Sequence, residues 1–288
     1  MKEENMNNLV NSTALKFRWI NGQCFEFKLN NGVTLLTDPW FHMEEGDGML
    51  VEMCPPDFTI DDIEGADYVF LNHTHLDHTA NLQEVVDRFH STVITHSANV
   101  LELMKCHDIP VTDMYPVDYE GTYYFDGFVL ETHHATHHRQ PGGNLQKALQ
   151  RHKDDPRALS SASGGTFNMN FVMTTAQGMR VAFIGGNDDG MIERLQGVNK
   201  PNIIIRNKMA SSKVKEGVAK NFAEWFAAVD TQILVPMHYE TWLTKDPEFA
   251  QKMIVDMNRI MEEKGKVGRV APMVRGKWYT LDLAINEA

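Results

Sequence analysis

Along the chain, apolar positions come first in short strand-like runs and only later at helical spacing. LKFRWI (15–20), CFEFK (24–28) and VTLLT (33–37) are such runs, and Asn30-Asn31-Gly32 between the last two tolerates the positive φ of a hairpin turn. DYVFL (67–71) predicts a compact buried strand. TVIT (92–95), FVLETH (128–133), NFVMTT (170–175), RVAFIG (180–185), NIIIR (202–206) and QILVP (232–236) add further strands. Helical spacing joins Leu82, Val85, Val86 and Phe89, then Val218, Phe222, Trp225, Phe226 and Val229, then Phe249, Met253, Met257 and Ile260. These stripes predict core-facing helix surfaces. Hairpins followed by strands alternating with helices imply layered α/β architecture.

Between the runs, residues 1–12 form a polar lead-in, and a loop rich in glycine, methionine and acid follows Asp38-Pro39-Trp40 to about residue 58. Residues 139–165 make a long polar excursion bounded by glycines, suited equally to a lid or to mobile surface. There is no short repeat and no low-complexity tract, and 288 residues suit one large domain or two small ones.

Composition narrows the functions available. A formal net charge of −12 and no Lys/Arg-rich stretch argue against nucleic acid as a partner. No apolar run approaches the roughly 20 residues that span a bilayer, and the acid- and amide-bearing start does not resemble a signal peptide. Three separated cysteines, Cys24, Cys54 and Cys106, suit a reducing, cytoplasmic setting without a disulfide framework.

The chemistry is concentrated in His73-Thr74-His75-Leu76-Asp77-His78, directly after the 67–71 strand. Two residues apart in extended chain, His73 and His75 point the same way and can share one metal ion. Asp77 and His78 follow at the turn into the Leu82 helix, where they can face a second ion. Neutral imidazole with carboxylate oxygen is a ligand set for zinc and its divalent neighbours. Coincidence is a poor account of three histidines and an aspartate in six residues. His42, His90, His96, His107 and His152 lack such partners and are assigned to surface or satisfied core. Tyr239 and Trp242 suit either a pocket lining or aromatic core, and Arg139 a solvated arginine.

NHTHLDH resembles the His-x-His-x-Asp-His signature of the metallo-β-lactamase superfamily. TDPW (37–40), ATHH (135–138), SGGT (163–166), FIGGNDDG (183–190) and PMHYETW (236–242) resemble further elements of its UlaG-like and NAPE-PLD-like branch, in the same order. The resemblance implies a four-layer αββα sandwich with the site at one edge. It implies a first metal on His73, His75 and a histidine of the 133–138 cluster, His137 or its rival His134. It implies a second metal on Asp77, His78 and His238, with an aspartate bridging the two ions. The family's Gly-Asp is here Gly186-Asn187-Asp188-Asp189, so Asp188 is the expected bridge and Asn187 the competing occupant. Asp38 resembles a family position just behind the metals.

A centre of that kind hydrolyses a small-molecule ester-type substrate, a lactone or a phosphodiester, with a water activated between two divalent ions and Asp77 or Asp188 taking up its proton. Zinc is the first choice, with manganese and iron as alternatives. No Gly-x-Ser-x-Gly elbow offers a serine nucleophile instead. A flavo-diiron oxidoreductase of this fold would carry Glu where His75 stands. The competing reading from another class is a non-catalytic metal- or ligand-binding protein on the same fold. Exposed helical faces leave room for a homo-oligomer.

Overall fold

A computed structural model describes residues 8–43, 48–55, 57–137, 167–186, 190–207 and 215–286. The early apolar runs become β1 (Asn8–Asn21), β2 (Cys24–Leu29) and β3 (Thr34–Thr37), followed by α1 (Gly48–Met53) and β4 (Tyr68–Phe70). The chain continues through α2 (Leu76–Thr79), α3 (Leu82–Phe89), β5 (Thr92–His96), α4 (Val100–Cys106) and β6 (Met114–Val117). The second half holds β7 (Thr122–Phe125), β8 (Phe128–Ala135), β9 (Asn168–Thr175), β10 (Arg180–Ile184), α5 (Met191–Arg194) and β11 (Ile203–Asn207). It ends with α6 (Val218–Val229), β12 (Ile233–Met237), α7 (Glu240–Lys245), α8 (Pro247–Glu263), β13 (Arg269–Val270) and β14 (Tyr279–Asn286).

The strands form two seven-stranded mixed sheets, ordered β14-β1-β2-β3-β4-β5-β6 and β13-β12-β11-β10-β9-β8-β7. Period-two alternation sends neighbouring residues to opposite faces. Phe25, Leu35 and Phe70 therefore meet Phe171 and Phe183 between the sheets, with Phe25 and Phe183 edge-to-face at 5.9 Å. Leu36, Val69 and Leu71 turn the other way, onto Leu82, Val85 and Val86 of α3 and Leu103 of α4. On the far side of the second sheet, Phe222 and Phe226 of α6 pack with Met253 and Met257 of α8. Helix, sheet, sheet and helix are the four layers of the metallo-β-lactamase sandwich.

Local chemistry explains the element ends. Gly32, at φ 93°, closes the β2–β3 hairpin with its N–H on the Leu29 carbonyl at 3.1 Å. His90 ends α3 in the left-handed region, its N–H on Val86 O at 2.8 Å. Two expectations need correction. The polar lead-in is shorter than residues 1–12, because β14 offers residues 8–12 an antiparallel backbone partner, with Asn8 opposite Asn286 and Ser12 opposite Leu283. The loop after Trp40 is interrupted by α1. The 139–165 excursion lies outside the described residues.

In the first sheet, β3, β4, β5 and β6 run parallel, and in the second β10, β11 and β12 do. His73, His75, Asp77 and His78 follow the end of β4, and His238 follows β12. The carboxyl ends of parallel strands, where the chain turns away from the sheet, are where such folds place ligands.

Candidate metal centre

Beyond β4 the chain cannot continue as a strand, because Asn72 turns inward. Its N–H donates to Asp38 Oδ1 at 2.7 Å, and its side-chain amide donates to the Met169 carbonyl across the sandwich. Its Oδ1 accepts from His73 Nδ1 at 2.7 Å, which leaves His73 Nε2 aimed forward, 3.0 Å from His75 Nδ1. His137 arrives from just past β8, with its ring centroid 4.8 Å from His73 and 4.7 Å from His75. Each of these three imidazoles offers a nitrogen, and the three nitrogens lie within 4.8 Å of one another.

The second group starts with α2, whose first turn carries Asp77 and whose Thr79 hydroxyl donates back to the His75 carbonyl at 3.1 Å. Asp77, His78 and His238 again bring donor atoms within 4.8 Å of one another. Asp77 Oδ2 lies 3.8 Å from His78 Nε2 and 3.4 Å from His238 Nε2. The outer nitrogen of each imidazole is held from behind. His78 Nδ1 faces buried Asp38 Oδ1 at 3.4 Å, and His238 Nδ1 meets buried Glu240 Oε1 at 2.7 Å. The two groups adjoin, with His73 and His78 ring centroids 3.8 Å apart.

Electrostatics suit a cation in both groups. Burial lowers His73 well below the ordinary imidazole value, and the surrounding imidazoles add to the fall. Burial likewise brings His75 down to about 4, against an opposing pull from Asp77. Both therefore stand neutral, the form that ligates metal. Burial opposes ionisation of Asp77, but His78 and His238 outweigh it and hold the carboxyl far below its usual range. Burial would lower His238 too, yet Glu240 and Asp77 raise it to about 10. Their combined field thus favours positive charge at Nε2, whether a proton or a metal ion.

Backbone strain gathers here. Asp38 at φ 39° and His238 at φ 56° are non-glycine residues in the left-handed region, a conformation costing roughly 1–2 kcal/mol each. The His238 N–H donates to the Gly22 carbonyl at 3.0 Å, so the β1–β2 turn holds the last histidine in place.

Most of the residues expected in the site come together: His73, His75, Asp77, His78, His137 and His238 lie in the two groups. His134, the rival to His137, is exposed and packs on Tyr119 at 5.0 Å between ring centroids. His133 instead joins Glu120 at 3.2 Å, which also pairs with Arg194. Asn187, Asp188, His138 and Arg139 lie outside the described residues. Tyr239 and Trp242 are buried core, which settles the choice between pocket and packing. Asn72 and Glu240 were missed by the sequence reading. Both are polar residues beside quoted motifs, and that adjacency was the signal.

The glycine pair before the expected bridge has a packing reason. A Cβ on Gly185 would stand 2.3 Å from the Asn72 amide nitrogen, and one on Gly186 would stand 3.0 Å from the Thr136 backbone. Because Asn72 holds both the Met169 carbonyl and His73, it cannot yield without releasing one of them. Gly185→Ala is expected to cost about 1–3 kcal/mol, the usual penalty of overpacking. Thermal melting of the variant against wild type checks this.

With the fold and geometry in hand, residues 16–238 match the family described as Beta-lactamase superfamily domain, and the chain belongs to that superfamily. No curated protein sequence matches the chain. Among solved structures, it is similar to Igni18, a metallo hydrolase from the archaeon Ignicoccus hospitalis. The TM-score is 0.64 at 15% identity, over 94% of this chain and 99% of that one. Yeast PDE1 is similar at TM-score 0.63 and 10% identity, over 94% of this chain and all of that one (100%). CmlA, a diiron β-hydroxylase from Streptomyces venezuelae, reaches 0.56 at 14% identity, over 94% of this chain and 55% of that one. Identities this low speak to the fold. Among the described residues, no helix is long and apolar enough to cross a membrane.

Proposed function

We propose that this chain is a metal-dependent hydrolase that holds two divalent ions and cleaves a small ester-type substrate, a lactone or a phosphodiester. The observation that carries the reading is the pair of adjoining donor groups, three imidazoles beside two imidazoles and a carboxylate. The donor set fits divalent metal, because Asn72, Asp38 and Glu240 occupy the outer nitrogens of His73, His78 and His238 and leave the inner ones for an ion. Ions bound there supply a water activated near neutral pH and a Lewis acid for the carbonyl or phosphoryl oxygen.

His73, His75 and His137 hold the first ion, and Asp77, His78 and His238 the second. Asp188 is the bridging carboxylate in this reading. Its support is position: Gly186, two residues earlier, packs against Ala135 and Thr136, next to His137. Asp77, in the first turn of α2 and partly exposed, would take up the proton of the activated water in this reading. The similarity to Igni18, named a metallo hydrolase, supports hydrolysis. Among the branches of the superfamily, the motifs favour the UlaG-like and NAPE-PLD-like one. Zinc is the preferred metal and the cytoplasm the preferred setting.

Elemental analysis of gently purified protein tests the reading, together with a screen of lactones and phosphodiesters. About two metals per chain with turnover in that screen is the expected outcome. Protein that takes up no metal even after reconstitution would overturn the reading and leave a binding role.

A further inference from the structure

The family match stops at His238, but the chain beyond it completes that side of the centre. Glu240, buried at the start of α7, accepts from His238 Nδ1 at 2.7 Å and so sets the direction of Nε2. Arg275 lies half-buried in the loop before β14. Its guanidinium donates through Nη2 to Asn21 Oδ1 at 2.8 Å and to the Met53 carbonyl at 3.1 Å. Its carbon also lies 5.3 Å from the Trp19 ring centroid.

Those neighbours fix the backbone of the last ligand. Asn21 precedes Gly22, whose carbonyl receives the His238 N–H. Trp19 stacks on Tyr239 at 5.2 Å, with the rings 8° from parallel. One cation therefore ties down both the turn and the ring that flank the last histidine. A lone surface arginine would do neither.

We infer that Arg275 is a positioning residue for the Asp77–His78–His238 group, acting through the Asn21–Gly22 turn and Trp19 to hold His238 Nε2 toward its ion. The inference rests on the metal-centre reading above. It assigns to the chain beyond His238 a part in the site that the family match does not cover. The guanidinium suits the task, since its Nη2 serves both acceptors while it lies over the Trp19 ring, a contact a lysine point charge makes less well.

The effect should be selective. Removing an outer partner of a metal ligand typically weakens the metal 10–100-fold. Arg275→Met keeps the aliphatic reach and drops the charge. Calorimetric titration of metal-depleted protein with zinc should show two binding events in wild type. In Arg275→Met the event at Asp77, His78 and His238 should weaken by about 10–100-fold while the event at His73, His75 and His137 holds. Asn21→Ala, which removes the acceptor of Arg275 and leaves Glu240 in place, should produce the same one-sided loss, and it decides the matter if Arg275→Met does not fold. Arg275→Lys should recover part of the loss. Unchanged affinity in Arg275→Met, or in Asn21→Ala where Arg275→Met does not fold, would overturn the inference, as would equal weakening of both events, the mark of a merely structural role. A wild type that binds no zinc would remove the metal reading itself, and the inference with it.

Discussion

Alanine at His75 is expected to abolish metal at the three-histidine group and to lower turnover by more than about 100-fold, since outer partners of ligands alone are worth 10–100-fold. His75 stands where β4 has ended and α2 has not begun, half-buried, with its Nδ1 3.0 Å from His73 Nε2. Its carbonyl accepts from the His78 N–H at 2.9 Å and from the Thr79 hydroxyl at 3.1 Å, backbone-mediated contacts that alanine keeps. The fold should survive, and far-ultraviolet circular dichroism should match wild type. Asp77→Asn makes the complementary case. It removes the charge facing His78 and His238 with almost no change in volume, so metal should be lost from the second group while the first is kept. Metal analysis read beside initial rates separates the two variants. Activity within tenfold of wild type in His75→Ala would mean that these imidazoles do not carry the chemistry.

Much of this centre was readable before any coordinates because its ligands sit where local rules are strong. A buried strand ending in alternating histidines fixes which way they point, and β1 to β5 of the first sheet followed from their short apolar runs, whereas β6 was missed. The choice between His134 and His137 was not readable. Both lie at the end of β8, and only the meeting of that strand with the 72–78 loop from the other sheet brings His137 to His73 and leaves His134 against Tyr119. Glu240 was in plain view within PMHYETW, but its importance depends on a left-handed turn at His238 that no propensity announces. Arg275 stands 37 residues from His238 and comes to the Asn21 turn beside it through the pairing of β14 with β1. That strand was missed in the sequence, although Tyr279, Leu281, Leu283 and Ile285 alternate with Thr280, Asp282, Ala284 and Asn286.

The positions that broke local expectation are the ones that serve the site. Asp38 and His238 adopt strained backbone, and Gly185 and Gly186 leave out side chains the neighbouring loops would not accommodate. Strain of this kind persists only where surrounding contacts over-determine it. Here those contacts are the Asp38 N–H to the Phe70 carbonyl at 2.9 Å and the His238 N–H to the Gly22 carbonyl at 3.0 Å.

Trp19→Ala should produce the largest loss of stability, about 3–5 kcal/mol, the range for deleting a buried tryptophan. Trp19 is among the largest fully buried side chains. It lies at the joint between core and centre, stacked on Tyr239, beneath Arg275, with its indole N–H on the Gly22 carbonyl at 3.1 Å. That carbonyl also receives the His238 N–H, so one oxygen joins the indole to the last histidine. At 2–4 °C per kcal/mol for a chain approaching this size, the melting temperature should fall by roughly 6–20 °C. Trp19→Phe retains the stack and loses the indole hydrogen bond, a loss of about 1 kcal/mol plus a little packing. If Trp19 serves only the core, both variants should bind metal normally at temperatures where they remain folded. If it also supports the His238 turn, Trp19→Ala should hold the second ion more weakly than Trp19→Phe, even well below its melting point. Calorimetric denaturation alongside zinc titration separates these cases, and the shared Gly22 carbonyl favours the second.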